Sequence, residues 1–507
     1  MINLTFEYIK KLKKLGSENL TPAYKIVLKI AKAAKGTGGS AFLVGGCVRD
    51  MILGQTSKDF DLEVYKLQPQ EVEKIVKQFG KISDVGKSFG ILKISFGEGI
   101  EIDVSLPRTD SKIGAGHKGF DVNTDPYMSL DEAASRRDFT INSMAFDPLT
   151  DKLYDPFNGL KDLNKKILRV TNHETFGDDP LRVLRALQFV ARFELEIEQE
   201  SKKIIQGMLP QLKELPKERI LEEWKKLFLK SEKPSAGLSA GMELGVFKEI
   251  HKELLTLLYT PQDSLWHPEG NVWIHTLKCI DCAIKIVKRE SLGDKIAFVI
   301  MLAVLCHDLG KPFTTTVKDD RIVSPEHENA GEKPTRAFLN SIGADKFTKS
   351  KVIPLVKNHL SPFALYDSEF KRGEKITDGT IRRLATRLYP ATIYELILIA
   401  EADYLGKGNR TQIRKTKKFK TGQWLLERSK TLNVQKDKPA DIIQGKDLIA
   451  KNFTPSKNFG VIIHLANKLR DEKNFTKEQI LKIIADCDNE DSAINKLDIN
   501  LKMNKRK

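Results

Sequence analysis

"SKDFDLEVY", Ser57 to Tyr65, sets two aspartates one residue apart inside a run of strand formers. In an extended strand, side chains at i and i+2 share a face. Asp59, Asp61 and Glu63 therefore point one way, and Phe60, Leu62 and Val64 point the other way, into a core. Two carboxylates so placed can hold Mg²⁺, a hard cation that polarises a phosphate and lowers the pKa of an attacking hydroxyl. An exposed acidic edge strand is the alternative for an isolated pair. The neighbours bear on the choice. Upstream, "FLVGGCVRD" runs from a buried-type strand, Ala41 to Val44, into Gly45-Gly46 and a helical stretch carrying Arg49. Strand, glycine pair and helix start let backbone approach phosphate oxygens, with a guanidinium one turn on. A plain tight turn uses the same glycines. Taken together, the two stretches favour the metal reading.

The glycine-broken strand pattern runs from about Ala41 to Asp147, through "AFLVGG", "DFDLEVY", "GILKISF" and "IEIDVSL". In the last of these, Glu101 and Asp103 share a face, and Asp103 is a candidate third carboxylate. "RTDSKIGAGHKGFD", Arg108 to Asp121, reads as a loop that either closes over a substrate or is structural. "RRDFTINSMAFDP" places paired arginines, Arg136 and Arg137, beside the site, to hold triphosphate charge or to neutralise acids. In "DDPLRVLRALQFVARF", helical spacing gathers Asp179, Arg182, Arg185, Gln188 and Arg192 on a polar face, with Val183, Leu184, Leu187 and Val190 opposite. Such residues either form solvated ion pairs worth ~0.3 kcal/mol each or present donors and acceptors to the Watson–Crick edge of a base.

The 507 residues suffice for roughly two to four domains. Lys and Arg (84) outnumber Asp and Glu (68), giving a net charge of +16, which favours a polyanionic partner such as nucleic acid. No apolar run approaches the ~18 residues of a membrane span, and "MINLTFEYIKKLKKLGSENL" reads as an amphipathic helix rather than a signal peptide. A cytoplasmic protein without a membrane partner is expected. Five scattered cysteines exclude a disulfide framework. Cys279 and Cys282 form a CxxC in an apolar helical run with no second pair, and read as packed thiols rather than a zinc site. After Lys161 helical spacing prevails. Changes of character near His251 to Pro268 and after Gly406 suggest boundaries; "GKGNRTQIRKTKKFKTG" carries seven basic residues between Lys407 and Lys420 and no acid.

"GGCVRD", "KDFDLEVY", "RRDFTINSMAFDP", "YDPFNGLKDL" and "DDPLRVLRALQF" occur in the order and spacing of the class II tRNA nucleotidyltransferases, the CCA-adding enzymes, and their poly(A) polymerase relatives. The resemblance covers about Ala41 to Phe228. It implies an α+β protein with a mixed-sheet, polymerase β-like nucleotidyltransferase head and all-α regions behind it. It implies that Asp59 and Asp61 hold Mg²⁺ and act in catalysis. Gly45, Gly46, Arg49 and Arg137 would bind the nucleotide, and Asp179, Arg182 and Arg185 would meet the incoming base and its phosphates. The family's usual Glu-Asp pair reads Asp178-Asp179 here, and Gln188 stands where the family commonly has another arginine. Partners so implied are tRNA, CTP and ATP; A-addition alone or poly(A) synthesis is the alternative within the family.

Five of nine histidines fall between His267 and His359. "WIHTL", "LCHDLGKP", "PEHENAG", "VKNHL" and "IAEADYLG" carry His275, His307, Asp308, His327, His359 and Asp403, each on a helical stretch. Imidazole with carboxylate suits a divalent transition metal. These residues resemble an HD-domain phosphohydrolase site, such as some bacterial CCA-adding enzymes carry. By that resemblance His275, His307, Asp308 and Asp403 form the core set and His327 and His359 the further ligands of two-metal members, for phosphoester hydrolysis; a metal-dependent phosphohydrolase acting on RNA ends, with the head serving mainly as a binding module, is the alternative of another class. The expected order is a head over 1–160, a helical neck over 161–250, an HD domain over 251–410 and a basic, tRNA-binding helical region over 411–507.

Overall fold

The structure, a computed structural model, describes residues 22–55, 59–80, 82–83, 91–96, 100–112, 120–407 and 419–503. The expected N-terminal amphipathic helix, the centre of the glycine-rich loop, most of the basic run and the last four residues lie outside them. The chain divides into two compact units, Met1–Ile250 and His251–Lys507.

The first unit is built on a seven-stranded sheet in the order β3-β4-β5-β2-β1-β8-β9. Its strands are β1 Ser40–Val44, β2 Asp59–Tyr65, β3 Ile82–Ser83, β4 Ile91–Phe96, β5 Ile100–Ser105, β8 Ala145–Asp147 and β9 Lys152–Tyr154. β2 and β5 run parallel and all other neighbours antiparallel, so the sheet is mixed. Alternation in β2 buries Phe60, Leu62 and Val64 against the helix Pro22–Gly36, whose Val27, Ile30, Ala31 and Ala34 are fully buried. Asp59 and Asp61 stay on the open face. The flanks of the glycine-rich stretch are strands, β6 Arg108–Lys112 and β7 Phe120–Thr124, paired antiparallel, where a loop was expected. After the sheet in the chain, the helix Leu181–Phe193 packs its apolar face against helices Lys217–Leu229 and Pro234–Leu244. Two short strands, Ile167–Leu168 and Glu196–Ile197, pair in parallel inside this mainly helical part.

Among the described residues, the second unit is helical apart from a hairpin, Thr316–Lys318 with Arg321–Val323. Its central helix, Asp294–Cys306, is buried at every position from Ala297 to Cys306. The stretch Asp294–Thr314 does reach the length and apolar character of a membrane span, which corrects the sequence reading. Most of it is enclosed by other helices of the unit, and it leads into His307 and Asp308, so it is a core helix. A second cluster joins the C-terminal helices through Leu448, Ile462, Leu469, Ile480, Ile484 and Leu497; burying each such side chain contributes about 1.5–3 kcal/mol.

Candidate active sites

β1 ends at Val44 and is followed by Gly45, whose φ of 74° lies where an L side chain is strained. A Cβ there would stand 2.7 Å from Arg137 Nη1 and 3.7 Å from Asp61 Oδ2. The glycine thus lets backbone, guanidinium and carboxylate meet. Arg137 also approaches Glu63 at 3.5 Å, and the Tyr65 hydroxyl donates to Glu63 at 2.6 Å.

Across the parallel strands, Asp61 is paired with Asp103 and Asp59 with Glu101. Lys93 of β4 stands 3.2 Å from Asp103 and 3.6 Å from Glu101. Even so, Asp103 Oδ1 is buried with no hydrogen-bond partner among the described residues. Removal from bulk water raises the pKa of Asp61; Arg137 opposes the rise, and Asp103, Asp59 and Glu63 add to it. Carboxylates that repel one another beside an orphaned oxygen fit a hard divalent cation, which takes oxygen ligands and removes the repulsion.

Gly45, Gly46, Arg49, Asp61, Arg137, Asp179, Arg182, Arg185 and Gln188 line one cavity of about 430 Å³. Asp59 and Asp103 lie on the sheet beside Asp61 rather than in that lining. The helix begins at Leu181, so Asp179 precedes it and accepts from the Leu181 N–H at 3.1 Å; the polar face expected from Asp179 starts at Arg182. Each arginine is held. Arg49 is buried, donates to Asp50 at 2.9 and 2.7 Å and to Asn142, and lies over Phe193 at 4.4 Å. Arg182 donates to the carbonyls of Thr175 and Arg136, each at 2.7 Å. Arg185 Nε donates to Asp138 at 2.7 Å.

Sequence reasoning missed two anchors here. Burial alone would raise the pKa of Asp138, but Arg185, Asn142 and the Phe139 N–H outweigh it and hold the carboxyl below its usual value. Arg219, from the helix Lys217–Leu229, grips Asp179 at 3.1 and 2.7 Å. Asp138 stood inside a quoted motif and could have been named. Arg219 carried no local signal.

In the second unit, His275 lies on the helix Val272–Arg289 and Asp403 on Ile393–Gly406, while His307 and His359 close helices and His327 opens one. Asp308 sits in the turn after His307 rather than on a helix. All six are buried. Nδ1 of His307, His327 and His359 meets the carbonyls of Val304, Ser324 and Val356, each at 2.7 Å. A carbonyl only accepts, so each Nδ1 carries the proton and, in the neutral ring, each Nε2 presents a lone pair. Glu269 orients His275 in the same way, Oε1 standing 2.8 Å from its Nδ1.

Those Nε2 atoms face one another, at 3.4 Å for His275 with His307 and 3.3 Å for His327 with His359. Asp308 stands between the pairs. Its Oδ2 lies 3.3 Å from His307 and 3.8 Å from His275, and its Oδ1 lies 3.3 Å from His327 and 4.0 Å from His359. Asp403 Oδ1 lies 3.1 Å from His275. Converging lone pairs and carboxylates call for cations, and the donor set suits transition metals. Burial would raise Asp308 and Asp403, but His307 and Lys311 hold the first well below the usual carboxylate range, and Lys407 and His275 the second. A cavity of about 200 Å³ opens onto Asp308, His327, His359 and Asp403, with Trp266, His267 and Lys311 in its wall. His267, Glu269 and Lys311 escaped the sequence reading, and Lys407, counted there in the basic run, stands 3.3 Å from Asp403 Oδ2 instead. Cys279, read there as a packed thiol, places its Sγ 3.3 Å from His275 Nε2.

Residues 41–169 match the poly A polymerase head domain family, and residues 194–258 match the family described as the probable RNA and SrmB-binding site of polymerase A. The fold is similar to that of the Bacillus stearothermophilus CCA-adding enzyme in complex with CTP, with a TM-score of 0.59 and 21% identity, over 92% of this chain and 97% of that one. It is also similar to the Thermotoga maritima CCA-adding enzyme complexed with tRNA CCA, with a TM-score of 0.56 and 18% identity, over 93% and 97%. In sequence, the chain is 33% identical over 379 residues to the Multifunctional CCA protein of Xylella fastidiosa (strain 9a5c), which spans 72% of this chain and 84% of the relative. With its polymerase head and its relatives along most of its length, the chain belongs to the family of multifunctional CCA proteins.

Proposed function

We propose that the protein adds C, C and A to the 3′ end of tRNA without a nucleic-acid template, using CTP and ATP. The observation that carries this reading is one cavity in which the Asp61 carboxylate and a set of individually anchored arginines face the same space. Nucleotidyltransferases of this type act with a divalent metal. Here Asp59 and Asp61, with Asp103 beside them, would hold Mg²⁺; the bound ion supplies polarisation of the α-phosphate and a more acidic terminal hydroxyl. The tRNA 3′-hydroxyl loses its proton to solvent as its oxygen bonds to the α-phosphorus, the bond from the α-phosphorus to the β-phosphate oxygen breaks, and pyrophosphate leaves. Gly45, Gly46, Arg49 and Arg137 face the triphosphate, while Asp179, Arg182 and Arg185 meet the base, with Gln188 in the same wall. Positioning and charge neutralisation supply most of the rate of such a transfer.

The basic surplus grips the tRNA backbone, with binding that weakens as salt rises. We assign residues 1–160 to the head, 161–250 to the neck, 251–410 to the HD domain and 411–507 to tRNA binding. The free cysteines suit the cytoplasm. The test offers the protein tRNA transcripts ending before the first C, before the second C and before A, with labelled CTP or ATP separately. Incorporation of C at the first two and of A at the third is expected. No C at any end would overturn the reading in favour of A-addition or polyadenylation.

A second activity is favoured by Asp308, whose two oxygens divide between the His275/His307 and His327/His359 pairs. Asp308 would serve both groups of ligands, which suits a phosphohydrolase acting on 2′,3′-cyclic or 2′-phosphate RNA ends, where bound metal would supply a water nucleophile at neutral pH. H307A and D308A should lose hydrolysis and keep CCA addition; D59A and D61A should do the reverse. Hydrolysis that survives D308A would sink this second reading.

A further inference from the structure

We infer that Cys279 is a direct ligand, as thiolate, of the metal at the His275, His307 and Asp403 position, so that this position takes a thiophilic ion such as Zn²⁺, Fe²⁺ or Co²⁺ rather than Mg²⁺. The inference rests on the metal-centre reading of the second unit and adds to it a ligand that nothing in the HD pattern supplies.

Geometry carries it. Cys279 lies one helical turn beyond His275, on the same face of the helix Val272–Arg289. Its Sγ, an imidazole nitrogen each from His275 and His307 and an oxygen of Asp403 all lie within 4.8 Å of one another. From His275 Nε2 the distances are 3.3 Å to Cys279 Sγ, 3.4 Å to His307 Nε2 and 3.1 Å to Asp403 Oδ1. Tetrahedral coordination with bonds of about 2.0–2.3 Å sets ligand atoms about 3.3–3.8 Å apart. The three distances from His275 Nε2 lie close to that spacing and the remaining pairs lie within 4.8 Å; Asp308 Oδ2, 3.3 Å from His307, would be a further ligand shared with the companion group.

The surroundings agree. Cys279 is fully buried, and its sulfur faces His275 Nε2 at 3.3 Å and the Asp403 carbonyl at 4.0 Å. The helix carrying Asp403 ends at Gly406, where a Cβ would fall 2.3 Å from Cys279 Sγ. The missing side chain lets the two helices close until Asp403 and Cys279 share one centre. Cys282, the other half of the CxxC, is more exposed and stands outside the cluster. The companion group, Asp308 with His327 and His359, holds no sulfur. The two positions therefore differ in kind, N/S/O against N/O, and thiolate selects softer ions.

On binding, the S–H bond breaks, the sulfur bonds to the metal and the proton leaves to solvent. No electron is transferred. The alternative is a thiol that only donates a hydrogen bond to His275.

The full chain, stripped with chelator and reloaded with Co²⁺ alone, should show a thiolate-to-cobalt charge-transfer band in the near ultraviolet. C279S should lose the band and weaken cobalt binding at one position by about tenfold or more, while C282S keeps it. X-ray absorption of the zinc-loaded wild type should show one sulfur at about 2.3 Å, a reading that needs no variant to fold. Cobalt bound without the band, a band that survives C279S, or zinc with only light scatterers would overturn the inference and leave the metal centre standing. Failure of the wild type to bind cobalt or zinc would overturn both.

Discussion

Asp179 gives both carboxylate oxygens to the guanidinium of Arg219, at 3.1 and 2.7 Å, from a position 40 residues earlier in the chain. A two-point fork fixes the plane of the carboxylate as well as its charge, and so fixes which way its lone pairs face the cavity. R219A should therefore disturb nucleotide choice as well as binding. Loss of a charged hydrogen bond costs about 1.5–3 kcal/mol, so kcat/KM for CTP should fall roughly ten- to 150-fold, with a changed CTP-to-ATP ratio in single-addition assays. R219K, which cannot fork, should recover little.

Asp103 faces Asp61 across the parallel pair and keeps one buried oxygen unpartnered among the described residues. If that oxygen serves the cation, D103N should raise the Mg²⁺ concentration for half-maximal incorporation by about tenfold, the worth of roughly 1.4 kcal/mol of lost ligand energy. Magnesium titrations of C addition would measure this. An unchanged midpoint would assign Asp103 to its contact with Lys93 alone.

Gly45 has a positive φ and stands where a methyl group would strike Arg137. G45A should cost about 1–2 kcal/mol in backbone strain and push the guanidinium from Asp61. Both a lower Tm by calorimetry and weaker incorporation are expected. A variant with normal Tm and activity would show that the close approach is not needed.

The buried pair of Asp138 with Arg185 sets an acid limit. The native pKa of Asp138 lies below its ordinary 3.8, so the ionised form stabilises the fold above that value, and the contribution is lost as pH falls through the native pKa. At pH 7, D138N should cost about 2–3 kcal/mol, less than a fully buried pair because Arg185 is partly exposed. Urea denaturation at stepped pH should show the gap to wild type closing as pH falls below 3.8 and through the lowered native pKa of Asp138.

In the second unit, His327 and His359 serve one side of Asp308 and His275 and His307 the other. On the two-metal reading, the wild type should take up two metals per chain and H327A about one, measured by elemental analysis after loading with zinc, because one carboxylate and one imidazole rarely hold a transition metal. Two metals retained would place the second ion elsewhere.

Much of this was readable in the chain. Alternation in "DFDLEVY" assigned Asp59 and Asp61 to the open face because side chains on a strand have period two, and β2 has that face. Helical spacing placed Arg182 and Arg185 together for the same kind of local reason. The six histidine and aspartate positions of the second unit were named because imidazole clusters stand out in composition.

What escaped was non-local or ambiguous in character. Arg219 reaches Asp179 only because two helices pack side by side, and nothing in its own neighbourhood marks it. Cys279 lay in an apolar run and read as packing, since a buried thiol and a buried ligand look alike until their neighbours are known. The apolar stretch Asp294–Thr314 is core rather than span because other helices cover it. Residue type and period, which are local, set the strands, the helices and the chemical groups. Which groups share one cavity, and which of their atoms remain without a partner, depended on chain segments brought together from far apart, and only the tertiary structure decided that.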